Sequence, residues 1–142
     1  MLKIFFKVND YSRAMNITLL VLRLAITVSM LTHGLPKLEK VLSGNFNFAD
    51  PLGLGPTTSL ILTAFAEFLC SVLIGIGLGT RLAAIPLIIT MTVILFIVHG
   101  DEPIFSHYNV LLYLTGYFIL LISGSGRYSS DYYLPRLISS PR

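Results

Sequence analysis

Two charged residues lie inside apolar runs of this sequence, and their positions suggest chemistry within a membrane. Glu67 lies in TSLILTAFAEFLCSVLIGIGLG (58–79), and Arg23 lies in NITLLVLRLAITVSMLTHG (16–34). An ionised side chain at membrane depth costs at least ~2.5–3.5 kcal/mol on insertion scales, so it persists with a partner, a water-filled cavity or a function. The opposite charges therefore predict an ion pair between adjacent spans, which could stabilise a polar or charged ligand electrostatically.

The positions of these residues along their runs predict that they lie at the same depth. Arg23 precedes His33 by ten residues, and Glu67 follows Thr57 by ten residues. If His33 and Thr57 mark the same membrane surface, a rise of ~1.5 Å per residue puts both charges ~15 Å below it. The two helices run antiparallel, so equal depth favours contact between the charges.

Further polar residues cluster where the apolar runs reach that surface. We expect an outward-facing cavity with the two charges at its floor and other polar side chains at its rim: Arg23 and Glu67 below, and His33, Lys37 and His99 above, with His107 as a further candidate. Histidine is the side chain that gains or loses a proton near neutral pH. Such a rim could therefore deliver protons to a bound molecule.

Each of these residues also has a structural interpretation. The charged pair could fix the helix bundle without binding anything, and histidines could simply mark helix ends at the membrane interface. Three histidines near one surface suggest a metal site, but no HxxH or HxxxH spacing is present, so we expect no metal. Arg81 follows the short connection GLGT and is expected to anchor a tight hairpin at the cytoplasmic surface, or to bind a headgroup there.

The elements that carry these residues are membrane-spanning helices. The 142-residue chain is 54% hydrophobic and only 12% charged, whereas a soluble domain has about a quarter charged residues. Four apolar runs, at about 16–34, 58–79, 81–99 and 108–124, leave no length for a separate soluble domain. We therefore expect residues 1–142 to form a single all-α domain, an integral membrane four-helix bundle.

The distribution of basic residues predicts the orientation. With the N-terminus in the cytoplasm, seven basic residues lie inside: Lys3, Lys7, Arg13, Arg81, Arg127, Arg136 and Arg142. Only Lys37 and Lys40 lie outside, where Asp101 and Glu102 also fall. This positive-inside bias predicts that both termini are cytoplasmic. The net charge of +3 is spread over span ends rather than clustered, so nucleic acid is not an expected partner.

Span two carries a stripe of small and polar residues at every fourth position. Its members are Thr63, Glu67, Ser71, Gly75 and Gly79. Such stripes let membrane helices approach closely, so this face is expected to point into the bundle. The single cysteine, Cys70, excludes an internal disulfide and a dithiol motif, and we expect it to be a packing residue.

Four sequence segments resemble the DoxX family of small four-span membrane proteins. They are HGLPKL (33–38), DPLGLG (50–55), AEFLCSVLIGIGLGTRLAAIPL (66–87) and GSGRYSSD (124–131). The resemblance extends from about residue 17 to residue 131. Its most specific part is the stretch from Glu67 to Arg81.

The resemblance implies a redox association. The family is named for a subunit of a thiosulfate:quinone oxidoreductase, and other members are associated with redox-defence assemblies or with maturation of secreted redox enzymes. It implies a bacterial inner (plasma) membrane location and shared polar positions at Arg23, His33, Lys37, Glu67, Arg81 and His99. Many similar sequences have a glutamate where this chain has Asn109, so its activity could differ.

Three functions remain open from the sequence. The first is an accessory or scaffold subunit of a membrane-associated redox system, which would bind a partner protein within the lipid bilayer. The second is a subunit of a quinone-linked oxidoreductase that binds quinone near Arg23 and Glu67. We expect no intrinsic cofactor, because no flavin, haem, iron–sulfur or dithiol motif is present, so electrons would come from a partner or the substrate. The third is a small-solute transporter, which would need a homodimer and lacks a visible inverted repeat.

Overall fold

The computed structural model describes residues 8–9, 11–101 and 103–133. Within this part of the chain, four helices are long and apolar enough to cross a membrane: α1 (Arg13–Leu42), α2 (Pro56–Ile76), α3 (Thr80–Val98) and α4 (Phe105–Ser123). The expected all-α four-helix membrane bundle is therefore confirmed. Helices α2 to α4 begin and end within a few residues of the apolar runs that predicted them.

Three of the helices contain segments that are not regular α-helix. In α2, a π-helical segment, Phe65–Cys70, separates the α-helical parts Pro56–Ala64 and Ser71–Ile76. In α3, the α-helix Thr80–Val93 continues as a π-helical segment, Ile94–Val98. A 3₁₀ turn, Ile104–His107, leads into the α-helix Tyr108–Ser123 of α4.

Helix α1 is longer than its apolar run. It covers 30 residues and continues through Pro36 to Leu42, although an internal proline removes a hydrogen bond and usually bends or ends a helix. Leu38 and Val41 are half-buried in the turns beyond the apolar run, and their packing stabilises the helix there. The helix therefore extends beyond the apolar run at about 16–34, and the residue at which it leaves the membrane stays a prediction.

The helices pack in chain order around a common core. The most extensive packing is between α1 and α2, α3 packs more on α4 than on α2, and α1 contacts α4 less than any consecutive pair of helices does. The core is apolar and contains Leu19, Met30, Ile74, Leu87, Met91, Tyr117 and Leu120.

Helices α1 and α2 approach closely along the small-residue stripe. A Cβ atom on Gly34 would lie 2.7 Å from the carbonyl carbon of Glu67, and one on Gly75 would lie 2.9 Å from Cγ2 of Thr27. The Thr27 hydroxyl donates a hydrogen bond to the Ser71 carbonyl at 3.0 Å. The predicted inward orientation of the stripe is confirmed at Glu67, Ser71 and Gly75.

The two ends of the bundle are built differently, and we name them by their contents. The hairpin end holds the α2–α3 turn at Gly77–Gly79 and the segment 124–133, and the loop end holds the loop 43–55 and residues 99–107. At the hairpin end, the Asp131 carboxylate accepts hydrogen bonds from the backbone N–H of Gly79 at 2.8 Å and of Thr80 at 3.4 Å. This carboxylate therefore caps the start of α3.

At the loop end, a second carboxylate organises the start of α2. Asp50 accepts hydrogen bonds from the Ser59 hydroxyl at 2.7 Å and from the backbone N–H groups of Gly55 at 2.8 Å and Leu54 at 2.9 Å. The bond from Ser59, followed by those from the backbone, lowers the pKa of Asp50 below its ordinary value. The loop residues 50–55 are thereby tied to the first turn of the helix.

The segments before α1 and after α4, as far as they are described, meet at the hairpin end. The backbone N–H of Arg127 donates to Oδ1 of Asn16 at 2.8 Å, and the Tyr11 hydroxyl donates to the Ser123 carbonyl at 3.2 Å. Five residues used for the topology prediction lie outside the described residues: Lys3, Lys7, Glu102, Arg136 and Arg142. The cytoplasmic placement of the hairpin end stays a prediction.

Candidate functional site

The buried carboxylate of Glu67 forms an ion pair with Lys37. Glu67 is 1% exposed, and the Lys37 side chain is 21% exposed, so the lysine connects a buried charge to open space. Lys37 lies one turn beyond Gly34 on α1, and Gly34 packs directly on the Glu67 backbone. The close approach of the two helices therefore brings the Lys37 ammonium to the carboxylate.

The predicted pair between Arg23 and Glu67 is wrong. Arg23 is fully buried at the hairpin end, where its Nη2 donates a hydrogen bond to the Tyr128 carbonyl. The reason is the length of α1. Gly34 rather than Arg23 lies at the level of Glu67, and Arg23 precedes Gly34 by eleven positions, which correspond to about 16 Å of helix.

A large cavity lies at the loop end, between α1, α3 and α4. We call it the histidine cavity; its volume is about 680 Å³, and its polar lining consists of Ser29, His33, Lys37, Glu67, His99, Ser106, His107, Asn109 and Tyr113. The structure thus brings together four of the five predicted site residues and adds His107, while Arg23 is absent from the lining. Asn109 lies in the wall, and Glu67 is the only carboxylate among the described residues that line this cavity.

Ring contacts order the side chains on the cavity wall. The imidazoles of His99 and His107 stack with their centroids 3.8 Å apart, and His33 meets Tyr113 edge to face at 6.2 Å. The Tyr113 hydroxyl also hydrogen-bonds the hydroxyl of Ser29, which links α4 to α1. Imidazole N–H groups and the lysine ammonium thus surround a space that could accept hydrogen-bonding groups of a ligand.

Both π-helical segments lie beside this cavity. Glu67 lies within the segment of α2, and the segment of α3 ends with a hydrogen bond from the His99 N–H to the Ile94 carbonyl at 3.1 Å. Such segments occur frequently at functional sites, where they change the direction in which a side chain points. No sequence signal predicts them, and the only hint is that a carboxylate lies in the middle of an apolar helix.

A second, smaller cavity lies on the other side of the ion pair. This apolar cavity has a volume of about 250 Å³ and lies between the loop end of α2, α3 and the loop residues 48–54. It shares Lys37, Glu67 and Ile94 with the histidine cavity. Sequence patterns did not reveal it, because one wall is a loop whose fold depends on the hydrogen bonds of Asp50.

Arg23 belongs to a closed cluster at the hairpin end. A Cβ atom on Gly77 would overlap Nη1 of Arg23, and the buried carboxylate of Asp131 attracts the guanidinium. Within the described residues, Nε and Nη1 of Arg23 have no hydrogen-bond partner. Arg23 lines neither the histidine cavity nor the apolar cavity, and its packing indicates a structural anchor.

Arg81 also binds the end of another helix. Its Nη2 donates to the carbonyl of Ile122 at 3.1 Å and approaches that of Ser123 at 3.5 Å. A cation at a helix C-terminus is favourable because the last carbonyls carry partial negative charge. The structure thus places Arg81 between the hairpin and α4, and the predicted binding of a headgroup is an untested expectation.

The described residues form no cluster of side chains that could ligate a metal ion. No group of three or more His, Cys, Asp or Glu side chains among residues 8–9, 11–101 and 103–133 could hold a metal ion. Cys70 is buried and has a free thiol. It packs in the core near Ile74 and Ala66.

The fold and the site define a small multi-pass membrane protein with a buried ion pair beside a polar cavity. The sequence profile of the DoxX family matches residues 18–100, more than half of the 142-residue chain, and the protein therefore belongs to the DoxX family. No curated protein and no solved structure matches the chain. The matched region includes the Lys37–Glu67 pair, His33 and His99, whereas the segment 124–133 lies beyond it.

Proposed function

We propose that the protein is an accessory subunit of a membrane-associated redox system and that it binds a small ligand at the Lys37–Glu67 pair. One observation carries this proposal: the ion pair forms part of the wall of two cavities at once. A pair that served only to join helices would need no open space beside it. Here both charges border open space where a ligand can reach them.

The energetics of buried charge favour a ligand role over helix adhesion. Removing two charges from water costs several kcal/mol per ion, and apolar replacements of such pairs are often neutral or stabilising. Close packing of Gly34 on Glu67 already joins α1 to α2. The charges are therefore not needed for helix association, which supports their use in binding.

The cavity chemistry suits a ligand that takes part in redox reactions of a partner. Three histidines line the space, and imidazole can supply or accept the protons that accompany electron transfer. Electrons would come from a partner protein or from the substrate, because the chain has one cysteine and no motif for a redox cofactor. We therefore propose a partner protein in the same membrane, which we take to be the bacterial plasma membrane.

The apolar cavity favours a second candidate, a quinone-binding subunit. A quinone ring has carbonyl oxygens that accept hydrogen bonds, and the lysine and histidines supply donors. The ring would lie beside Lys37, where the ammonium stabilises negative charge on a reduced oxygen. This candidate differs from the first in assigning the redox chemistry to the bound molecule itself.

Mass spectrometry of copurifying small molecules tests both candidates. The protein would be extracted in mild detergent as wild type, as Glu67→Gln and as a control, Glu39→Gln, which changes an exposed glutamate of α1. We expect one molecule at stoichiometric amount in the wild type and the control, and its loss in Glu67→Gln. Equal amounts of bulk lipid alone in all three samples would contradict ligand binding, and a retained partner protein would then favour a scaffold.

A further inference from the structure

We infer that the ligand is an amphiphile that occupies both cavities, with its apolar chain in the apolar cavity and a hydrogen-bond-accepting head in the histidine cavity. The inference rests on the proposed function and adds the chemical class of the ligand. It also assigns a second subsite, which borders the first at the Lys37–Glu67 pair. The head could be a carboxylate or a quinone carbonyl, since both accept hydrogen bonds from lysine and histidine.

The donor groups of the histidine cavity indicate the chemistry of the head. Lys37 and His33 both line this cavity, and Glu67 is the one carboxylate among its described lining residues. The Lys37 ammonium has three N–H donors and no acceptor, and it already pairs with the carboxylate of Glu67. A ligand head that accepts hydrogen bonds therefore suits the lysine better than a head that donates them.

The apolar cavity, in contrast, presents few free hydrogen-bonding groups. Its three hydroxyl side chains already donate within the protein: Thr63 to the Ser59 carbonyl at 2.7 Å, Thr90 to the Pro86 carbonyl at 2.9 Å, and Ser59 to Asp50 at 2.7 Å. The threonine methyl groups and side chains such as Leu62 and Val93 make up the rest of the surface. A polar group placed there would lose hydrogen bonds to water without replacement, whereas an alkyl chain would lose none.

The loop that forms one wall of the apolar cavity also favours an alkyl chain as its occupant. Leu52 and Leu54 border the apolar cavity and are still about half exposed, at 50% and 51%. Asp50 keeps this part of the loop in place through its bonds to the start of α2. The loop thus presents apolar side chains in a fixed position, next to a cavity that a chain would fill.

Photolabelling locates the alkyl chain of the ligand directly. The probe is a ten-carbon fatty acid with a diazirine at the end of its chain, added to the protein in lipid nanodiscs and activated by light. We expect peptide mass spectrometry to find the label on Leu62, Val93 or the loop residues 48–54. A label confined to lipid-facing residues such as Val28 and Ile122 would overturn the inference, because it would show that the chain stays in the bilayer.

Matched valine variants test the cavity. Val93→Phe fills the apolar cavity, and Val28→Phe makes the same change at a lipid-facing position that is 67% exposed. We expect the first to reduce cavity labelling to background and the second to leave it unchanged. Thr90→Leu, also in the cavity lining, replaces Val93→Phe if that variant does not fold. Unchanged cavity labelling in a folded filled variant would contradict the subsite.

The double variant Lys37→Met/Glu67→Gln tests the head. It removes both charges with side chains of similar size and leaves the other lining residues of the apolar cavity unchanged. Loss of labelling therefore supports a head bound at the pair, and persistent labelling overturns that part. Competition by unlabelled decanoate or by a decyl-substituted benzoquinone then distinguishes a fatty acid from a quinone. If the probe labels the apolar cavity but no molecule copurifies, the amphiphile site stands without the redox role. If a molecule copurifies but the probe does not label the apolar cavity, the ligand is confined to the histidine cavity.

Discussion

The two ends of the bundle both bury charge, yet they surround it in different ways. At the hairpin end, Arg23 and Asp131 are enclosed by backbone and small side chains, and the Asp131 carboxylate caps the start of α3. At the loop end, Lys37 and Glu67 border two cavities. A charge inside a membrane helix is therefore not evidence of a ligand site by itself. What distinguishes a ligand site from a structural anchor is open volume beside the charge.

The largest effect is expected at the hairpin end. Gly77→Ala places a methyl group onto the Arg23 guanidinium at a residue with φ of 72°. Overpacking and backbone strain together should lower the free energy of unfolding by about 2–5 kcal/mol. Thermal unfolding in detergent measures it. Gly44→Ala is the control, since Gly44 has the same φ of 72° but no atom within 4 Å, and a similar loss in both variants would show that the Arg23 packing contributes nothing.

A smaller effect should distinguish the two partners of the loop-end pair. Lys37→Met leaves a carboxylate that is 1% exposed without its partner. Because the lysine side chain is 21% exposed, water already reaches the pair, and we expect a cost of about 1–3 kcal/mol of stability. Glu67→Gln leaves a partly exposed lysine and should cost less. The double variant should recover stability but not ligand.

This asymmetry can be checked by a double-mutant cycle of unfolding free energies, combined with mass spectrometry of the bound molecule. If the double variant recovered both stability and ligand, the pair would be a structural link like the one at the hairpin end. The contrast between the two ends would then disappear.

The smallest effect concerns the exposed carboxylate at the loop end. The pKa of Asp50 is lowered, first by the Ser59 hydroxyl, so its contribution to stability is present above the ordinary carboxyl pKa and is lost as the pH falls through the lowered value. We expect the melting temperature of the wild type to fall below about pH 4 more than that of Asp50→Asn. Parallel pH profiles of the two proteins would show that the Asp50 bonds contribute no stability.

The sequence was a good guide to the helices and a partial guide to the site. Apolar runs predicted α2, α3 and α4 because lipid demands about 20 apolar residues per span. His33, Lys37, Glu67 and His99 could be grouped because helix ends at the same surface lie near one another. Their shared cavity follows from that placement.

The errors came from features that apolar composition does not encode. Helix α1 continues past its apolar run through Pro36, and Gly34 packs on Glu67. His33 and Thr57 therefore do not lie at one level, as the depth estimate for Arg23 assumed. The π-helical segments rotate Glu67 and His99 relative to a regular helix, and no local residue preference marks them. The apolar cavity depends on a loop fixed by contacts of Asp50 with residues up to nine positions later.

The cap on α3 also orders the assembly of the protein in time. Asp131 lies 52 residues after Gly79, whose N–H it accepts, and a ribosome makes the chain from the N-terminus onward. The α2–α3 turn is therefore synthesised before its capping carboxylate, and the cap can form only after α3 and α4 have been made. The turn that joins the middle of the protein is completed by one of the last described segments to be made.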